Sequence, residues 1–252
     1  MSTTKVCHYD GCHPIESAVA NKLYCSECGC KRKAENKVRR IDRPLVYDDG
    51  LWQAEEDRKR QLAQKVAEKN KWILDNKSFA VFDIESTNLD ANFGEMLAAC
   101  ILPLNPDGEV KIYRDTKSDE KIVQEVRDEL ANYDYVVTYY GTGFDIPFLQ
   151  TRLINYDLEP LREIRHVDMY YTARTVLKLH SNRLAVVSEL LFGKNKKTNI
   201  SFERWNRAMR GDEEAMDYIV EHCVKDVEVL RDVFYELVRF KNLSQTPLRL
   251  IG

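Results

Sequence analysis

The stretch Phe79-Ala80-Val81-Phe82-Asp83-Ile84-Glu85-Ser86-Thr87-Asn88 decides the fold. Phe79 to Ile84 reads as a buried strand, short and apolar, followed by a polar exit. Asp83 and Glu85 are two apart, so a strand points both to the same side. Carboxylates are costly to bury without a compensating cation. A strand otherwise made of Phe, Ala, Val and Ile has no structural reason to aim two acids together. Ser86-Thr87-Asn88 then ends the strand, with Asn tolerant of left-handed geometry.

Working outward, Met96 to Leu104 and Val110 to Tyr113 read as strand partners, joined through the turn pair Asp107-Gly108. Glu120 to Asn132 carries Ile122, Val126 and Leu130 at helical spacing, and Tyr135 to Tyr140 is a further strand. A helix is expected from Phe144 to Leu153, with Pro147 in its first turn where a missing N–H costs little. Further helices are expected at Met169–Leu177, Leu184–Leu191 and Phe202–Met209. The last, Glu213 to Phe240, places Met216, Ile219, Cys223, Val227, Leu230, Phe234 and Leu237 at three- and four-residue steps. Three strands, a helix, a strand and then helices describe an α/β domain with a mixed sheet.

Two more acids sit in apolar surroundings. Asp145 follows Gly141-Thr142-Gly143-Phe144 and precedes Ile146-Pro147. Alone it would be a helix N-cap, but the two glycines allow a sharp turn or a close approach to a ligand. His222 and Asp226 are four apart on the last helix and share one face. An exposed His–Asp pair is the plain alternative; a histidine beside the core can take a proton from water near neutral pH. Carboxylates supplied by separate core elements are what a pair of divalent ions requires, and such a site suggests phosphodiester cleavage. Asp168 is read as a cap or core hydrogen-bond acceptor, with metal assistance as its other role.

The totals bound the rest. With 252 residues, 44% hydrophobic and 31% charged, the chain holds one large domain, or one plus a small appendage. A net charge of −3 excludes a generally basic nucleic-acid coat. Local patches remain: Lys31 to Arg43 holds seven basic residues, and Lys194, Lys196, Lys197, Arg204, Arg207 and Arg210 form a second set. Either could track a phosphate backbone or be a solvated surface. No apolar run approaches the ~20 residues of a membrane span, and Met1 to Val6 does not open a signal peptide. An intracellular, cytoplasmic protein with no membrane partner is expected.

Five of the seven cysteines precede residue 31. Cys7-x4-Cys12, then twelve residues, then Cys25-x2-Cys28 makes two ligand pairs, as one tetrahedral structural zinc needs. Binding free energy would replace the core that so short a module lacks. Cys30, His8 and His13 are spare ligands; free thiols or a redox disulfide are the alternatives. Cys100 and Cys223 read as small core residues. Gln53 to Lys71 should be helical, with a thin apolar stripe (Leu62, Val66) that suits a surface or bridging helix. The expected organisation is a cysteine-rich module at 1–32, a charged helical linker at 33–76 and an α/β domain at 77–252.

Phe82-Asp83-Ile84-Glu85, Gly141-Thr142-Gly143-Phe144-Asp145-Ile146-Pro147-Phe148-Leu149 and His222-Cys223-Val224-Lys225-Asp226 resemble the three motifs of the DEDD exonuclease superfamily. That superfamily has the ribonuclease-H-like fold of proofreading 3′–5′ exonucleases. The stretch from His166-Val167-Asp168 through Trp205 and Gly211-Asp212 to Asp226 is similar to its phage and bacterial branch. The resemblance covers about Lys77 to Phe240 and omits the cysteine module. It implies a two-metal 3′–5′ exonuclease acting on DNA or RNA. Asp83 would bridge two Mg²⁺ or Mn²⁺ ions, Glu85 and Asp226 would complete one site, and Asp145 would hold the second ion. His222 would act as general base or orient the water, and Leu89 and Phe144 would meet the terminal nucleotide.

This chain departs from the pattern twice: the usual subfamilies carry Tyr four before the last Asp or His five before it, whereas His222 stands four before, and Tyr140 and Thr142 stand where Asn often precedes Phe-Asp. A structure-specific endonuclease, or a non-catalytic nucleic-acid-binding protein, would also use this fold. The cysteine module would then grip substrate or a replication or repair protein.

Overall fold

The computed structural model describes residues 49–115, 118–161, 164–193 and 202–244. The chain divides into two compact units, Met1–Gln61 and Leu62–Gly252. The expected zinc ligands Cys7, Cys12, Cys25 and Cys28, the basic run from Lys31, and Lys194 to Lys197 lie outside the described residues. Helix α1 (Asp49–Asn76) is continuous and longer at both ends than the expected Gln53–Lys71. Among the described residues no helix is long and apolar enough to cross a membrane.

The second unit is built on a five-stranded sheet: β1 (Phe79–Ser86), β2 (Met96–Pro103), β3 (Lys111–Arg114), β4 (Tyr135–Thr138) and β5 (Arg165–Asp168). Strand order is β3-β2-β1-β4-β5. β1 pairs antiparallel with β2 and parallel with β4, β2 with β3 antiparallel, and β4 with β5 parallel. This is the mixed sheet of the α/β expectation. The fifth strand was not anticipated, because four residues ending in Asp168 are too few to show periodicity.

Helices α2 (Glu120–Leu130) and α3 (Asp145–Asn155) cover one face. Their Ile122, Val126 and Leu149 pack on Ala80, Phe82 and Ile84. The other face receives α4 (Met169–Val176), α5 (Leu184–Phe192) and above all α7 (Glu213–Leu237). There Cys223, Val227 and Phe234 meet Phe79, Val81, Cys100 and Val137. Burial on both faces accounts for the unbroken apolar runs of β1 and β2. α6 (Phe202–Met209) precedes α7. Gly211 turns between them at φ +84, a conformation that favours glycine, and Asp212 caps α7 by accepting from the Ala215 N–H at 3.0 Å. A short 3₁₀ turn, Val238–Phe240, ends it. Fully buried Phe234 lies 5.7 Å from the Phe79 ring, which in turn stacks on Tyr135 at 4.5 Å.

Strand parity positions the site. Ala80, Phe82 and Ile84 point toward α2 and α3, so Val81, Asp83 and Glu85 point toward α7. The β1–β2 register shifts between Glu85 and Ser86, where Leu97 of β2 is the extra residue beside the two acids.

Candidate active site

Asp83 and Glu85 meet α7 at His222, Cys223 and Asp226. His222 Nε2 lies 3.7 Å from Glu85 Oε1 and 3.7 Å from Asp226 Oδ2. These side chains are 8%, 14% and 6% exposed, so the group sits at the edge of the core rather than on an open helix face. An exposed His–Asp pair is therefore excluded. The Cys223 thiol lies 3.5 Å from the Asp83 main-chain oxygen and 3.6 Å from its Oδ2. Burial, then the neighbouring Cys100 thiol and the Asp83 carboxylate, push the Cys223 thiol up, so it stays a protonated donor beneath Asp83. Its sequence gave only a core reading; nothing in an apolar context marks a cysteine that touches an acid.

Asp145 comes from the opposite layer. It is the first residue of α3, whose N-cap is Phe144, so the helix-cap alternative does not hold. Its Oδ1 instead accepts from the Ile84 N–H at 3.1 Å, tying α3 to the strand between the two acids. Burial raises its carboxyl to about 7, opposed by the main-chain donors and reinforced by the Asp168 carboxylate.

Asp168 is the cap that the sequence suggested. It accepts from the Tyr170 N–H at 3.0 Å at the start of α4. It also accepts from the Tyr140 and Thr142 N–H groups at 2.9 and 3.0 Å. The two glycines serve this turn: a Cβ on Gly141 would come 2.2 Å from Thr138 Oγ1, and one on Gly143 2.7 Å from the Tyr140 ring.

A cleft of about 520 Å³ opens on two of these acids, and is lined by Asp83, Asp226, Tyr139, Tyr140, Tyr170 and Arg183 among others. A second groove, about 290 Å³, is lined by both Leu89 and Phe144. Leu89 is 81% exposed, and Phe93, on the same loop and not singled out by the sequence, is 79% exposed. Of the basic residues on α6, Arg207 is held by Asp212 and Glu214, and Arg204 lies 3.9 Å over the Tyr218 ring.

The donor set is four carboxylates, hard oxygen ligands of the kind Mg²⁺ and Mn²⁺ take. Among the described residues no three His, Cys, Asp or Glu side chains converge tightly enough to enclose an ion. Asp83 has the Cys223 thiol beside it, Glu85 and Asp226 have His222, and Asp145 has the Ile84 N–H. The donors fit such an ion in their chemistry.

A family model described as the RNase_H superfamily matches residues 80–238. The chain is 27% identical over 171 residues to "DNA polymerase III PolC-type" of Ureaplasma parvum serovar 3, covering 58% of this chain and 11% of that protein. It is 24% identical over 156 residues to "DNA polymerase" of Methanocaldococcus jannaschii, covering 53% and 10%. The family B DNA polymerase of Pyrobaculum calidifontis shares the fold, with a TM-score of 0.52 and 17% identity over 63% of this chain and 24% of that one. The chain thus spans about a tenth of the length of the two sequence relatives. A nuclease is supported at the level of the superfamily, and the matched region contains the whole carboxylate cluster. The chain belongs to the RNase_H superfamily.

Proposed function

We propose that this protein is a divalent-metal-dependent exonuclease that removes nucleotides from the 3′ ends of DNA or RNA. The observation that carries the reading is the meeting of β1, α3 and α7 at one end of the sheet. There Asp83 and Asp226 line one cleft, Glu85 and Asp226 flank His222, and Asp145 accepts from the Ile84 N–H of the same strand. Asp83, Glu85 and Asp226 would hold one cation, with Asp145 contributing to a second. Bound divalent metal supplies a water of lowered pKa and neutralises charge on the departing 3′ oxygen.

The chain's own groups do the rest. His222 Nε2, 3.7 Å from both Glu85 and Asp226, would accept the proton of the attacking water. The Cys223 thiol holds Asp83 from behind. Leu89 and Phe144 border one groove and would pack on the terminal base. The cysteine module at 1–32, read as a one-zinc site that grips substrate or a replication or repair protein, belongs to the same proposal.

The test uses single strands, duplexes and RNA labelled at either end, with Mg²⁺ or Mn²⁺, beside Asp83→Ala. The expected products are mononucleotides released from the 3′ end by the wild type alone. Discrete internal fragments would indicate an endonuclease; equal activity of the variant would sink the catalytic assignment.

A further inference from the structure

The tyrosines around the cleft do not follow from the carboxylate motifs. Tyr140 holds a left-handed backbone at φ +68, rare for a bulky residue. A buried carboxylate maintains it. Asp168, 6% exposed, accepts the N–H of Tyr140 through Oδ1 and that of Thr142 through Oδ2, gripping the turn on both sides of Gly141. Its Oδ1 also accepts the Tyr170 N–H, so one side chain fixes both tyrosines. Gly143 leaves room for the Tyr140 ring, since a Cβ there would come 2.7 Å from it.

The outcome is not burial. Tyr140 remains 47% exposed, with its ring edge-on to Tyr170 at a centroid distance of 5.0 Å. Both rings line the cleft that contains Asp83 and Asp226, and exposed Arg183 lies on the same wall. Strain held by a buried acid to display an aromatic ring beside the reacting groups is a ligand-facing arrangement. Aromatic rings with a nearby guanidinium suit unpaired bases and their phosphates; paired bases do not expose a face to stack.

We infer that Tyr140, braced by Tyr170 and set by Asp168, is a stacking subsite for one unpaired base. Arg183, lining the same cleft, would meet that strand's phosphate. The inference rests on the nuclease reading for its substrate class. Tyr140 touches the base, and Asp168 is a positioning residue acting through the turn.

The experiment measures binding in the full-length Asp83→Ala protein, so that turnover does not intervene. The probe is a fluorescein-labelled single strand in which one abasic residue is moved stepwise from the 3′ end. With Tyr140 intact, one abasic register should raise Kd by about 5- to 150-fold, the range for one stacked base. Tyr140→Ala should raise Kd for the intact strand by a similar factor and erase that register dependence. Tyr140→Phe should restore both. Gly143→Ala, which crowds the ring while leaving it present, should blunt the register dependence. Asp168→Asn should weaken binding with thermal unfolding followed in parallel; a loss that Tyr140→Ala does not share overturns its positioning role.

Unchanged binding by Tyr140→Ala, or base-independent binding in every register, overturns the subsite. If the parent chain still cleaves 3′ ends in that case, the nuclease reading stands alone. If the parent neither cleaves nor binds single strands, both fall.

Discussion

Removing Asp119 should destabilise the fold by about 3–5 kcal/mol, because it leaves Arg152 buried without its counter-charge. Their side chains are 0% and 9% exposed. Arg152 engages the carboxylate through both oxygens, Nε to Oδ2 at 2.8 Å and Nη2 to Oδ1 at 2.7 Å. Oδ1 also accepts from Tyr156 Oη at 2.6 Å, and Oδ2 from the Met96 N–H at 2.8 Å. Arg152 Nη1 donates to the Ala91 carbonyl at 3.1 Å. The cluster thus joins the start of β2, the N-terminal end of α2, α3 and the loop that carries Leu89 and Phe93.

For a domain of this size that loss corresponds to a fall in Tm of roughly 6–20 °C. Thermal unfolding and urea titration of Asp119→Ala measure it, with an unchanged urea slope expected. Asp119→Leu/Arg152→Met should recover a large part, since an apolar pair of similar volume replaces a buried ion pair at little cost. Recovery stays incomplete because the Met96 N–H, the Ala91 carbonyl and the Tyr156 hydroxyl each lose partners, at about 1 kcal/mol apiece. A single-variant loss below about 1 kcal/mol, or a double variant equal to the sum of its singles, would refute this account of the cluster.

Cys223→Leu should overfill the space beneath Asp83 and cost roughly 1–3 kcal/mol; cleavage should fall further than unfolding accounts for, and Cys223→Ala, which removes the donor without crowding Asp83, should lose activity to a smaller extent. Asp134 offers a pH test away from the site. Partial burial opposes its charge, but donors from the Ser78 main chain, Lys77 and the Ser78 hydroxyl outweigh it and hold the carboxyl below its ordinary range. A lowered folded pKa contributes stability above the unfolded value of 3.8, lost as pH falls through the folded one. Urea unfolding from acid to neutral pH should therefore show a shallower acid-side loss in Asp134→Asn, with a difference of at most ~1 kcal/mol for so exposed a pair. Mn²⁺ should raise the Tm of the wild type by mass action and leave Asp83→Ala/Asp226→Asn unmoved; equal shifts would place the ion elsewhere.

The acids were legible because each broke a rule of its surroundings. Asp83 and Glu85 stood in an apolar strand, and period-two geometry alone sent them to one face. The helical stripe of α7 likewise placed His222 and Asp226 beside Cys223 before any contact was known. Asp145 was ambiguous for a physical reason: a residue at a helix start can cap that helix or reach across the sheet, and only the position of Ile84 decides. β5 was too short to register, although it carries the Asp168 that fixes the Tyr140 turn. The positive φ of Tyr140 is a tertiary effect, enforced from a strand 26 residues or more away in the chain, which local sequence does not encode. The role of Cys223 was hidden by its type, since a buried thiol packs equally well against carbon.

The most direct test of the carboxylate centre is the cleavage rate of a 5′-labelled single strand across a Mn²⁺ titration. It compares the wild type with Asp83→Asn, Glu85→Gln, Asp145→Asn and Asp226→Asn. Four donors acting as one unit predict a ladder shortened from the 3′ end, and a loss on the order of 100-fold or more in each variant. Pairwise combinations should be little worse than the singles. A wild type that leaves the strand intact at every Mn²⁺ concentration, or variants that cleave at its rate, would contradict it.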